Sequence, residues 1–100
     1  MPATATLTNN TSTAAFQLPA GTKGFIVWNM AAAVLRLRMG FKAAASGTHE
    51  GIPIPAGSST DPKYFVHYFD APLEAPLNIM AFQNSGGDIT SGVGYDTLNL

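Results

Sequence analysis

His49 adjoins Glu50 within "AASGTHEGIPIP", and His67 stands inside the aromatic run "KYFVHYF"; metal or acid–base chemistry would have to start from these side chains. A zinc site needs two or three imidazole or carboxylate ligands at a fixed spacing, as in HExxH, and neither histidine has such a neighbour. A solvated His49 and a His67 packed among Tyr and Phe rings, one nitrogen met by a neighbour, are the expected arrangement. A serine nucleophile needs a base beside it and a strained turn to expose its oxygen, and no GxSxG run occurs. Glu50, Asp61, Asp70, Glu74, Asp88 and Asp96 fall in or beside expected turns, where carboxylates bond to nearby backbone N–H groups. "SGG" at Ser85 to Gly87 lacks the lysine and the following helix of a phosphate loop, so it reads as a turn. No catalytic residue, metal ligand or cofactor site is assigned, and the protein is expected not to be an enzyme.

Two other features are suited to contact. Arg36 and Arg38, with Lys42 beyond them, are the one concentrated basic group, fit for an acidic partner surface or nucleic acid, or simply for solvent. Trp28, Tyr64, Tyr68 and Tyr95 carry ring faces that could stack on pyranose rings or be buried against protein. Which of these uses is open depends on the elements that carry them.

In a helix, Arg36 and Arg38 would point about 200° apart and the apolar residues of this stretch would smear around the cylinder. Read with period two, Leu35, Leu37, Met39 and Phe41 share one face, and Arg36, Arg38, Gly40 and Lys42 the other. The strand reading is preferred. The flanking triplets Ala31 to Ala33 and Ala43 to Ala45 favour a helix by propensity, but three residues do not nucleate one. They are read as a connection and the start of a loop.

Gly, Pro, Asn, Asp and Ser clusters cut the rest of the chain into short apolar or alternating runs. Seven or eight strands are expected, near Thr4 to Thr8, Thr13 to Leu18, Gly24 to Met30, Val34 to Phe41, Gly51 to Ile54, Lys63 to Phe69, Leu77 to Gln83 and Ile89 to Leu98. The implied class is all-β: a single-domain antiparallel sandwich or barrel, jelly-roll-like, over residues 1–100. Pro53 and Pro55 suit either an edge strand blocked against further pairing or an extended polyproline-like loop. "FIVWNM" and "KYFVHYF" are apolar on both faces, whereas a two-layer sandwich needs only one apolar face per sheet. Loops, the N-terminal segment or another subunit must cover the second face. Gly92 and Gly94 share a face and leave bare backbone, which suits a bulge or the close approach of another chain.

The totals narrow the partners. Hydrophobic residues are 46% of the chain, charged residues 11%, and the net charge is −1, so a folded domain is expected and nucleic acid is not an expected partner. With no cysteine there is no disulfide framework. The N-terminus has neither the basic nor the apolar region of a cleaved signal, and no apolar run approaches the ~18 residues of a membrane span.

The succession "GFIVWN", "VLRLRMGF", "IPIPAG", "YFVHYF" and "PLNIMAFQNSGGDITSGVGY", from about Lys23 to Tyr95, is similar to small virion structural proteins of tailed bacteriophages. Lack of a Gly or Ser between Asn29 and Val34 departs from that pattern. The resemblance implies a head decoration or cement protein in the virion, assembled in the host cytoplasm and often trimeric. It would bind copies of itself and the major capsid or other virion proteins. In that reading Arg36 and Arg38 point outward, residues 1–12 form an arm pairing with a neighbouring subunit, and apolar rings lie at subunit contacts. The alternative is a carbohydrate-binding or tail-fibre receptor-recognition module using the aromatic residues.

Overall fold

A computed structural model describes residues 5–9, 15–40, 51–83 and 89–99. Among the described residues there are eight strands: β1 (Ala5–Asn9), β2 (Phe16–Leu18), β3 (Gly24–Asn29), β4 (Leu35–Met39), β5 (Ile52–Ile54), β6 (Lys63–Tyr68), β7 (Leu77–Gln83) and β8 (Ile89–Leu98). Among the described residues there is no helix. His49, Glu50, Lys42, the second alanine triplet, Ser85 to Gly87 and Asp88 lie outside the described residues.

The strands form two antiparallel sheets, ordered β1-β8-β3-β6 and β2-β7-β4-β5. Four of the pairings, β1 with β8, β2 with β7, β3 with β6 and β4 with β5, match the first half of the chain to the second in reverse order. This is one long hairpin rolled up on itself. Rolling brings β3 against β8 and β4 against β7, which completes the two layers of a jelly roll.

Period-two alternation decides which side chains fill the space between the layers. On β4, Leu35 and Leu37 are buried and Arg36 and Arg38 are half-buried on the other face, as the strand reading requires. Phe25 and Val27 from β3, Ile79 and Ala81 from β7, Val93 from β8, and Phe16 and Leu18 from β2 join them in one core. Each large side chain buried there stabilises the fold by about 1.5–3 kcal/mol. β5 is an edge strand, so the proline pair lies on the margin of a sheet, the first of the two arrangements.

A buried polar residue sets the geometry at one end of the core. Asn29, closing β3, is fully buried. Its Nδ2 donates to the carbonyls of Ala33 at 2.8 Å and Pro55 at 3.0 Å, and its Oδ1 accepts from the Ala31 N–H at 2.9 Å. The first alanine triplet is thus a connection held in shape by one side chain rather than by a tight two-residue turn. Met30 N–H donates to Gly92 O at 2.7 Å, tying the same connection to β8, where Gly92 takes a φ of 78° and Ala31 packs close against it.

Two placements are not given by alternation alone. Residues 5–9, part of the expected arm, pair within this single chain with β8, Ala5 opposite Tyr95 and Leu7 opposite Val93. β7 is buried on both faces: Met80 and Phe82 point away from the core, opposite Arg38 and Arg36, yet are fully buried.

Candidate interaction surface

Among the described residues, the exposed rings Tyr64 and Tyr68 lie on the outer face of the β1-β8-β3-β6 sheet. On β6 the inner side chains Phe65 and His67 are half-buried, while Tyr64, Val66 and Tyr68 on the outer face are 59%, 48% and 52% exposed. Their cross-strand partners on β3 are Trp28, Ile26 and Gly24. Trp28 and Ile26 are half-buried, so Trp28, Tyr64, Val66, Ile26 and Tyr68 form one contiguous apolar patch over two adjacent strands.

Glycines let the rings lie flat on the sheet. Gly94 of β8 stands opposite Trp28, and the indole covers it so closely that a Cβ there would collide with Nε1, Cε2 and Cζ2. Tyr68 covers Gly24 in the same way. The bare backbone at Gly94 is thus filled by a ring of the same chain.

Tyr95 is not part of this patch. It points inward, where its ring stacks on Phe16 with centroids 3.9 Å apart and planes at 7°, joining β8 of one sheet to β2 of the other. The same parity that sends Gly94 outward sends Tyr95 inward, so its ring packs between the layers instead of serving an outer platform.

Arg36 and Arg38 lie on the opposite outer face, that of the β2-β7-β4-β5 sheet. The Arg38 guanidinium carbon sits 5.4 Å from the centroid of the Phe82 ring, within cation–π range. Arg36 Nη1 approaches Gly51 O at 3.4 Å. The basic pair is therefore partly packed onto the sheet. The structure brings Trp28, Tyr64 and Tyr68 together, Arg36 and Arg38 together, and separates the two groups across the sandwich.

His67 lies among Phe65, Phe69 and Phe25, ring centroids 6.2, 5.0 and 6.1 Å away. Among the described residues, no three His, Asp or Glu side chains are grouped so as to hold a metal ion. A cleft of about 270 Å³ opens beside the alanine connection, lined by Asn29, Ala31, Val34, Gln83, Ile89 and Val93 among others. Asn29 directs both its amide oxygen and its amide nitrogen into backbone bonds, so it has little left for a ligand in that cleft.

Val66 and Ile26 belong to the patch although aromatic type does not mark them out. Their signal was parity: each lies two residues from a patch ring on its own strand. Among the described residues no helix is long and apolar enough to cross a membrane. Comparison of the chain with protein-family models, with curated proteins and with solved structures finds no match.

Proposed function

We propose that this chain is a structural protein that works by adhesion and, more finely, a decoration protein of a tailed-bacteriophage capsid, assembled in the host cytoplasm. The observation that carries the reading is the outer patch, with Tyr64, Val66 and Tyr68 about half exposed side by side. Contiguous apolar surface of this kind marks contact sites on soluble domains. The jelly roll is an architecture used by viral capsid proteins, a supporting analogy since fold alone does not assign function. In mechanism, the patch loses water against a capsid or sister subunit, and a contact of ~1,000 Å² or more makes it specific. Many copies on one particle then convert modest single contacts into firm attachment.

The test is cosedimentation with particles assembled from the products of neighbouring genes. Tyr64→Ser with Tyr68→Ser, both exposed, should leave the fold intact and weaken attachment at least ~10-fold, about 1.4 kcal/mol. Unchanged attachment by a folded double variant overturns the reading.

A sugar-binding role is the second reading, favoured by the direct pairing of Trp28 with Tyr64 on the outer face and by lectins that share the architecture. Glycan binding lost in a still-folded Tyr64→Ala or Trp28→Ala variant would select it.

A further inference from the structure

Among the described residues the sandwich has four edge strands, and three of them carry features that discourage further pairing. β1 has a register shift between Leu7 and Asn9. β2 and β5 are three residues long, and β5 contains Pro53. Bulges, short length and proline are the usual protections of a sheet edge. β6 has none of these three: its six residues pair with β3 without a shift, it contains no proline, and after Lys63 it runs Tyr-Phe-Val-His-Tyr. A long, regular, apolar edge invites another strand.

The backbone of β6 is also set to receive one. Phe69 N–H donates to Lys23 O at 2.9 Å, extending the β3–β6 ladder by one position. Donors and acceptors alternate in direction along an antiparallel strand. Phe65 and His67 therefore turn theirs to β3, and Tyr64, Val66 and Tyr68 turn theirs to the free edge.

We propose that the occupant is β6 of a second copy, paired antiparallel about a two-fold axis at Val66. Val66 then faces the partner's Val66, and Tyr64 faces the partner's Tyr68. All three edge residues exchange N–H and C=O groups, giving about six hydrogen bonds. The inner face matches too, with Phe65 opposite the partner's His67 and Lys63 one residue from the partner's Asp70. Shifting the axis to His67 would set two imidazoles against each other, and shifting it to Phe65 would set Lys63 against the partner's His67. Of these three registers, the one centred on Val66 avoids both. A self-matched strand fits an isologous dimer; the trimer implied by the resemblance would need a head-to-tail contact between two different surfaces. The pairing rests on the adhesive reading only for its purpose: an axis normal to the sheet puts both aromatic patches on one side, as one continuous face.

The chain has no cysteine, so single substitutions report the register directly. Cα atoms of a hydrogen-bonded pair lie about 5.5 Å apart, inside the disulfide range of roughly 4.4–6.8 Å. Val66→Cys should therefore form a disulfide-linked dimer under mild oxidation, at least ~10-fold faster than Tyr64→Cys, whose copies would be roughly 15 Å apart, four residues along at ~3.4 Å per residue and one strand spacing across. Val66→Pro removes a donor from the free edge and leaves the β3 ladder intact, so it should sediment as a folded monomer. Should that variant not fold, Val66→Lys sets two ammonium groups against each other at the axis and should weaken the dimer at least ~10-fold. Equal cross-linking of Val66→Cys and Tyr64→Cys overturns the register. A wild-type chain that is monomeric at ~100 µM overturns the pairing itself, and if it still cosediments with particles the adhesive face stands without it.

Discussion

The indole of Trp28 lies flat on the backbone of Gly94, its cross-strand partner on β8, and leaves no room there for a methyl group. In an ordinary strand, replacing Gly by Ala gains about 0.5–1 kcal/mol because glycine gives up more backbone freedom on folding. Here the sign should reverse. Gly94→Ala must lift the ring off the sheet and is expected to cost about 1–3 kcal/mol in urea unfolding. Trp28 is the one tryptophan, so its fluorescence reports the displacement without interference. A red-shifted emission is expected; unchanged emission with unchanged or raised stability would mean that the ring does not rest there.

Asn29 satisfies two carbonyls and one N–H with a single buried amide. Asn29→Ala leaves all three groups without that partner and should cost roughly 2–4 kcal/mol. Asn29→Asp is more informative. Its carboxylate would be buried facing the Ala33 and Pro55 carbonyls, which favours the protonated form and raises its folded-state pKa. A raised pKa contributes stability that is present at low pH and is lost as pH rises through the folded value. The Asp variant should therefore lie nearest to wild type below pH ~4 and fall progressively behind above it. Parallel pH–stability curves for the two proteins would show that the site is wet or that the side chain has turned away.

The strands could be read because alternation is a local signal. Val34 to Lys42 states its two faces within nine letters, and the burial of Leu35 and Leu37 against the half-exposure of Arg36 and Arg38 follows from it. The rolling of the sheets is not local. Nothing near Met80 or Phe82 says that the outward face of β7 is covered, because that depends on what is folded over it. Tyr95 shows the same limit. Its parity placed it with Val93, opposite Gly94, but which of the two faces is the core depends on β2 bringing Phe16 across from the other sheet. Asn29 was visible only as the end of a strand, since its three backbone partners come from segments up to 26 residues away. Pro53 illustrates the opposite case: a residue that cannot donate a backbone hydrogen bond restricts its own position, and it lies on an edge.

The basic pair can be divided by experiment. Arg38 packs over Phe82, so Arg38→Gln should cost about 0.5–2 kcal/mol of stability, with Arg36→Gln costing less. Attachment should divide differently. If both guanidinium groups address an acidic partner, each substitution weakens attachment and lowers its salt dependence, and the double variant does so most. Attachment and salt slope unchanged in the double variant would confine both arginines to contacts within their own sheet.

Removal of residues 1–10 separates an arm from a strand. An arm lent to a neighbour would stabilise the assembly, so its loss would lower the melting temperature by an amount that depends on protein concentration. β1 instead pairs with β8 of its own chain, so its loss turns β8 into a raw edge within each subunit. The melting temperature should then fall by the same amount at every concentration, roughly 4–8 °C for each ~1 kcal/mol lost. The sedimenting mass should not change, because β6 lies at the far edge of the same sheet. A drop that vanishes on dilution would restore the arm.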